Sequence, residues 1–112
     1  MSTVQEIDLC IDVVDDIFAI LACTSTYPTA DEDVNLNYIK SLKKKHGDFV
    51  RIGFSNHASG LMACFGAVAA GAEVIEFHIT KDRTMYGSDQ AASIENVEEL
   101  MSGIRKMEIL LG

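Results

Sequence analysis

FVRIGFSNHASGLMACFGAVAAGAEVIEFH, residues 49–78, spells strand, loop, helix and strand in one pass. Residues 49–54 and 73–77 are short, mostly apolar runs. Apolarity that continues without alternating marks a strand buried on both faces, as in parallel sheets. Ser55-Asn56-His57-Ala58 reads as a tight polar loop. Residues 59–70 read as a helix rich in small residues, suited to lying close against a sheet, and Gly71 closes it. A strand–helix–strand unit of this kind implies parallel pairing through a right-handed crossover.

The same grammar extends in both directions. Residues 18–23 (FAILAC) form another short apolar run. Ahead of it, residues 3–15 place Val4, Ile7, Cys10, Ile11 and Val14 three and four apart, the spacing of an amphipathic helix. Thr3 followed by Glu6 has the form of a capping box. Residues 24–33 make a polar loop holding Pro28, the only proline. Residues 34–46 are a second helix, with Gly47 just past its end. Asp31, Glu32 and Asp33 read as the acidic first turn of that helix, and Lys43, Lys44 and Lys45 as its solvated basic end. Residues 78–95 are a long loop. Residues 96–111 are a last helix with Val97, Leu100, Ile104, Met107 and Leu111 on one stripe. The expected class is α/β, in the order αβαβαβα, with three parallel strands in one domain over residues 1–112. The return through Asp15-Asp16-Ile17 is short for a helix-to-strand connection.

The 112 residues are 48% hydrophobic and 23% charged, a globular and not a disordered composition. A net charge of −8 with a single basic cluster argues against nucleic-acid binding. No apolar run approaches the ~20 residues of a membrane span. Met1-Ser2-Thr3-Val4-Gln5-Glu6 has neither the basic nor the apolar part of a secretion signal, so a cytoplasmic location is expected. Cys10, Cys23 and Cys64 lie in apolar segments without a C-x-x-C pair, and buried free thiols are expected of them rather than disulfides or a zinc site.

In parallel α/β folds ligands bind at the carboxyl ends of the strands. The three loops there are polar, whereas the opposite connections are plain. His57 and His78 stand 21 positions apart, one helix plus one strand. On adjacent parallel strands ~4.8 Å apart they share one rim. Two imidazoles so placed can share a divalent metal with coordination positions left open, or they are two unrelated loop histidines. Glu76, two residues before His78, points to the same side. It can be a further ligand, a partner behind the ligands, or a carboxylate filling a polar layer inside a barrel. Ser25 and Tyr27 can hydrogen-bond a sugar hydroxyl or amide, or simply shape the turn before Pro28. Asp89, in Gly87-Ser88-Asp89, can accept from polyol hydroxyls or serve ordinary loop chemistry. Lys81 and Arg83 are solvated loop charges or face an anionic substrate. No phosphate-loop, dinucleotide or nucleophile-elbow signature is present.

Taken in order, these segments resemble the sialic acid synthase family. Cys23-Thr24-Ser25-Thr26-Tyr27-Pro28-Thr29, then Glu32-Asp33-Val34-Asn35-Leu36, is similar to the family's sixth-strand region. Ile52-Gly53-Phe54-Ser55-Asn56-His57 resembles its G-[YLF]-S-[DNG]-H segment. Ala67 through Thr80 resembles A-V-A-x-G-A-x-V-I-E-x-H-x-T. Gly87-Ser88-Asp89 with Ala92-Ser93-Ile94-Glu95 resembles G-[PS]-D-x-x-A-S-[LI]-E. The likeness runs over nearly the whole chain.

The resemblance implies a partial TIM (β/α)8 barrel whose three strands match the sixth to eighth of the family. It implies condensation of phosphoenolpyruvate with an N-acylated amino sugar, usually N-acetylmannosamine, to a sialic acid and phosphate. It places Mn²⁺ or Mg²⁺ between His57 and His78. It puts Ser25 and Tyr27 against the sugar or its acyl group, Ser55 near phosphoenolpyruvate and Asp89 on sugar hydroxyls; Asn56, beside the first histidine, and Glu76, from its position alone, are candidates for the shell behind the metal. The phosphoenolpyruvate-binding groups of the family's earlier strands have no counterpart here, nor has its C-terminal antifreeze-like domain. Asn56 stands where the family commonly has Asp, which should disturb charge around the metal more than ligation. The expectation is therefore a fragment, inactive alone, that self-associates or pairs with a complementary half-barrel. The alternatives are a non-enzymatic metal- or sugar-binding half-barrel and a fragment of a legionaminic or pseudaminic acid synthase.

Overall fold

The computed structural model describes residues 1–86, 88 and 96–112. It contains helices α1 (Val4–Val13), α2 (Asn37–His46), α3 (Met62–Ala69) and α4 (Val97–Leu111). Strands β1 (Ala19–Ala22), β2 (Arg51–Asn56) and β3 (Val74–Phe77) form one sheet in sequence order. Both pairings are parallel, with Ala19 opposite Arg51 and Gly53 opposite Val74. The expected αβαβαβα order and parallel sheet hold among the described residues.

Several boundaries differ from expectation, each for a visible reason. α1 starts on the capping box: the Glu6 amide donates to Thr3 Oγ1 at 3.3 Å and the Thr3 amide to Glu6 Oε2 at 2.6 Å. Its carboxylate is held below the usual range by those Thr3 donors. The helix stops at Val13, and Asp16 takes φ +58°, reversing the chain within the short return to β1. Asp adopts this left-handed conformation more readily than most residues. The acidic triplet forms its own 3₁₀ turn, Asp31–Asp33, and Asn35 at φ +49° separates it from α2. α2 therefore begins at Asn37 and not at residue 34. α3 is shorter than expected at both ends. β2 lies two residues later than the apolar run suggested and includes Ser55 and Asn56.

The helices cover one face of the sheet. Ile52 and Phe54 of β2 are buried there against Ile39 and Leu42 of α2 and Ala67 of α3. Cys64 and Leu100 make a second fully buried cluster between α3 and α4. α1 buries no residue. It is tied to α2 by Asp8, whose carboxylate lies 2.6 Å from Lys45 Nζ and 3.3 Å from His46 Nε2.

The opposite face is the inside of the curve. A Cβ at Gly53 would stand 2.5 Å from Leu21 Cδ2 and 2.8 Å from Val74 Cβ, so the flanking side chains close over the glycine. Above that layer the face is polar and open. The Glu76 and His78 side chains are 44% and 43% exposed.

All three cysteines are free, but only Cys64 is buried; Cys10 is exposed and Cys23 half-buried, which corrects the expectation of three buried thiols. Cys10 lies on a helix that has no deep face. No helix among the described residues is long and apolar enough to cross a membrane.

Candidate metal centre

The rim is built by three strand ends. Past β1 the chain runs through residues 24–29 and returns to the sheet. There the Thr29 amide donates to the His57 carbonyl at 2.8 Å, and Thr29 bridges Ala58. Thr29 is itself buried, and its hydroxyl donates to the Thr26 carbonyl at 2.7 Å. This contact fixes Tyr27 above the sheet and His57 at the end of β2. His78 follows β3 directly.

His57, Glu76 and His78 each offer one donor atom, and all three atoms lie within 4.8 Å of one another. The two imidazole centroids are 5.5 Å apart. Glu76 faces Ser55 across the β2–β3 pairing, and the Ser55 hydroxyl donates to Glu76 Oε2 at 2.5 Å. The other carboxylate oxygen, Oε1, lies 3.7 Å from His78 Nε2. Tyr27 packs against both imidazoles, edge-on to His57 at 4.9 Å and tilted to His78 at 4.8 Å. Its hydroxyl is 2.5 Å from His78 Nδ1.

Of the residues singled out in the sequence, His57, His78, Glu76, Tyr27 and Ser55 thus meet in one place. Ser25 is exposed on the same loop and, among the described residues, hydrogen-bonds none of them. Asp89 lies outside the described residues. Asn56 is fully buried; its amide donates to the Ala58 and Gly60 carbonyls at 3.2 and 3.3 Å, and its oxygen accepts from the Ala58 amide at 3.1 Å. Its job is therefore to shape the loop that carries His57 rather than to carry charge toward a metal. Two neighbours escaped the sequence reading. Cys23 Sγ lies 3.9 and 3.8 Å from the two His57 ring nitrogens. Its signal was its position two after inward-facing Leu21. Thr29 gave no signal, because its partner is a backbone carbonyl 28 residues away.

The NeuB family model matches residues 1–112. The chain belongs to the NeuB family. Among curated family relatives, it is 41% identical to the human N-acetylneuraminate-9-phosphate synthase over 114 residues, covering all of this chain and 32% of that protein. It is 43% identical to the Campylobacter jejuni pseudaminic acid synthase over 94 residues, covering 82% of this chain and 27% of that one. Among solved structures it superposes on the N-acetylneuraminic acid synthetase of Leptospira borgpetersenii, crystallised with citrate. That match has a TM-score of 0.91 at 34% identity, covering 99% of this chain and 40% of the other. The chain spans about a third of the length of the curated relatives it matches. Its three βα units match part of a TIM barrel of the sialic acid synthase type.

Proposed function

We propose that this chain is the sixth-to-eighth-strand part of an N-acetylneuraminate-synthase-type enzyme, a single domain over residues 1–112. In that enzyme phosphoenolpyruvate, N-acetylmannosamine and water give sialic acid and phosphate. The observation that carries the reading is the convergence of His57, Glu76 and His78 on the rim of a family sheet.

The donor set fits a divalent cation. Two imidazole nitrogens and a carboxylate suit Mn²⁺ better than Mg²⁺, which prefers oxygen ligands and its own waters. His57 and His78 would hold it, with Glu76 as a third ligand or as the group that orients them. When bound, the cation supplies Lewis acidity toward a carbonyl oxygen of the sugar. Ser55 keeps Glu76 in place and lies toward the phosphoenolpyruvate site. Ser25, Tyr27 and Asp89 bind the sugar and its acyl group. Holding both substrates in register supplies much of the rate in such condensations. The chain alone lacks the groups of the earlier strands and is inactive in isolation, in a cytoplasmic setting. The likeness to the pseudaminic acid synthase favours one second reading, the same chemistry on a related nonulosonic acid precursor.

Mn²⁺ titration of the wild type and of His57→Ala and His78→Ala tests the site. Loss of binding in both variants is expected; unchanged binding in either removes the shared centre. Sialic acid formation by the isolated chain from phosphoenolpyruvate and N-acetylmannosamine would overturn the inactivity.

A further inference from the structure

Resting on the metal reading above, the geometry points to Tyr27 as the residue that positions His78, by engaging Nδ1 and leaving Nε2 as the ligating nitrogen beside Glu76. The Tyr27 hydroxyl sits 2.5 Å from Nδ1. On the other side of the ring, Glu76 Oε1 at 3.7 Å is beyond hydrogen-bonding distance of Nε2. Among the described residues the ring thus has one hydrogen bond, on Nδ1, while Nε2 is the nitrogen beside the carboxylate. A ligating imidazole characteristically donates its second N–H to a neighbouring acceptor, which fixes both tautomer and ring orientation. A tyrosine hydroxyl can accept that proton. With Nδ1–H given to Tyr27, the Nε2 lone pair is free on the side where Glu76 stands.

The Tyr27 ring adds a second constraint. It touches both imidazoles, at 4.9 and 4.8 Å, while the two are 5.5 Å from each other. One aromatic side chain on the first loop therefore spaces two ligands from the ends of the other two strands. Thr29, two residues on, pins that loop to the His57 carbonyl. This role is separate from any contact of Tyr27 with a sugar, and it operates without substrate.

Tyr27→Phe keeps the ring and removes the hydroxyl. The first readout is the His78 tautomer by ¹⁵N-resolved NMR at mildly alkaline pH, without metal. The wild type is expected to carry its proton on Nδ1, and Tyr27→Phe to shift toward Nε2–H, the form preferred by free imidazole side chains. The second readout is Mn²⁺ affinity, expected to fall roughly 10- to 100-fold in Tyr27→Phe, as when a partner behind a metal ligand is removed. A wild-type proton on Nε2 overturns the proposal, and it needs no variant to be seen. An unchanged tautomer and unchanged Mn²⁺ affinity in Tyr27→Phe overturn it as well, and leave Tyr27 as a sugar contact only. If the wild type binds no Mn²⁺, the metal reading fails on its own, and the tautomer in wild type and variant alone decides whether Tyr27 orients the ring.

Discussion

Single side chains on this rim are placed by partners that sequence spacing does not reveal. Asn56 is the clearest case. Its two N–H bonds end on carbonyls of the loop after His57. Asn56→Asp, which restores the residue common in the resembled family, would turn a carboxylate on those carbonyls with no proton to donate. It is expected to lower stability by about 2 kcal/mol or more, the cost of a buried, unsatisfied and charged group. Urea unfolding measures it; an unchanged midpoint would mean that the loop rearranges freely. Cys64, away from the rim in the cluster between α3 and α4, is a different case. Burial pushes its thiol from 9.0 up to about 11. The folded state thus holds this proton more tightly than the unfolded one. Stability is intact below pH 9.0 and falls as pH rises toward about 11. The loss amounts to roughly 2–3 kcal/mol at most from this one group. Cys64→Ala should flatten that part of the pH profile. The two histidines and Glu76 were legible from their intervals, because a βα repeat returns each strand end to the same rim. Tyr27 was legible as a candidate but not as a neighbour of His78, since 51 residues separate them.

At the scale of elements, apolar spacing, small-residue content and continuous apolar runs located the four α-helices and three strands among the described residues, but misjudged their ends where polar side chains find partners. Ser55 and Asn56 look like loop residues, yet both extend β2. Ser55 is bonded to Glu76 on one face and Asn56 to its own loop on the other. The start of α2 was misplaced because Asn35 at φ +49° breaks a helix that apolar spacing alone would continue. The sheet itself turns on Gly53. Its missing side chain is where Leu21 and Val74 meet, and a Cβ there would press on the Val74 carbonyl oxygen. Backbone cannot yield as a flexible side-chain tip can, so Gly53→Ala is expected to cost about 1–3 kcal/mol, the usual range for overpacking. Thermal or urea melts should register it. Hydrogen exchange should show faster opening of β3 than of α2, because the insertion pushes on the β2–β3 pairing.

For the whole molecule, two opposed terms govern association. Among the described residues β1 and β3 are each paired on one side only, and the inner face carries the half-exposed Glu76 and His78 side chains. Such edges invite pairing with another chain. A net charge of −8 opposes it. Salt screens that repulsion, with a Debye length of about 8 Å at physiological ionic strength. Sedimentation at micromolar concentration should therefore show oligomers whose population rises with salt. A single monomeric species at every salt concentration, with a sharp cooperative melt, would count against the open-barrel picture. The register of the sheet also bears on how quickly the chain finds its shape. Paired positions lie 32 residues apart between β1 and β2, and 21 apart between β2 and β3. Each pairing closes a loop of modest length, and the entropy of closure grows only slowly with length. The three units can consequently assemble in order of synthesis, so that the metal-ligand candidates come together as soon as β3 docks.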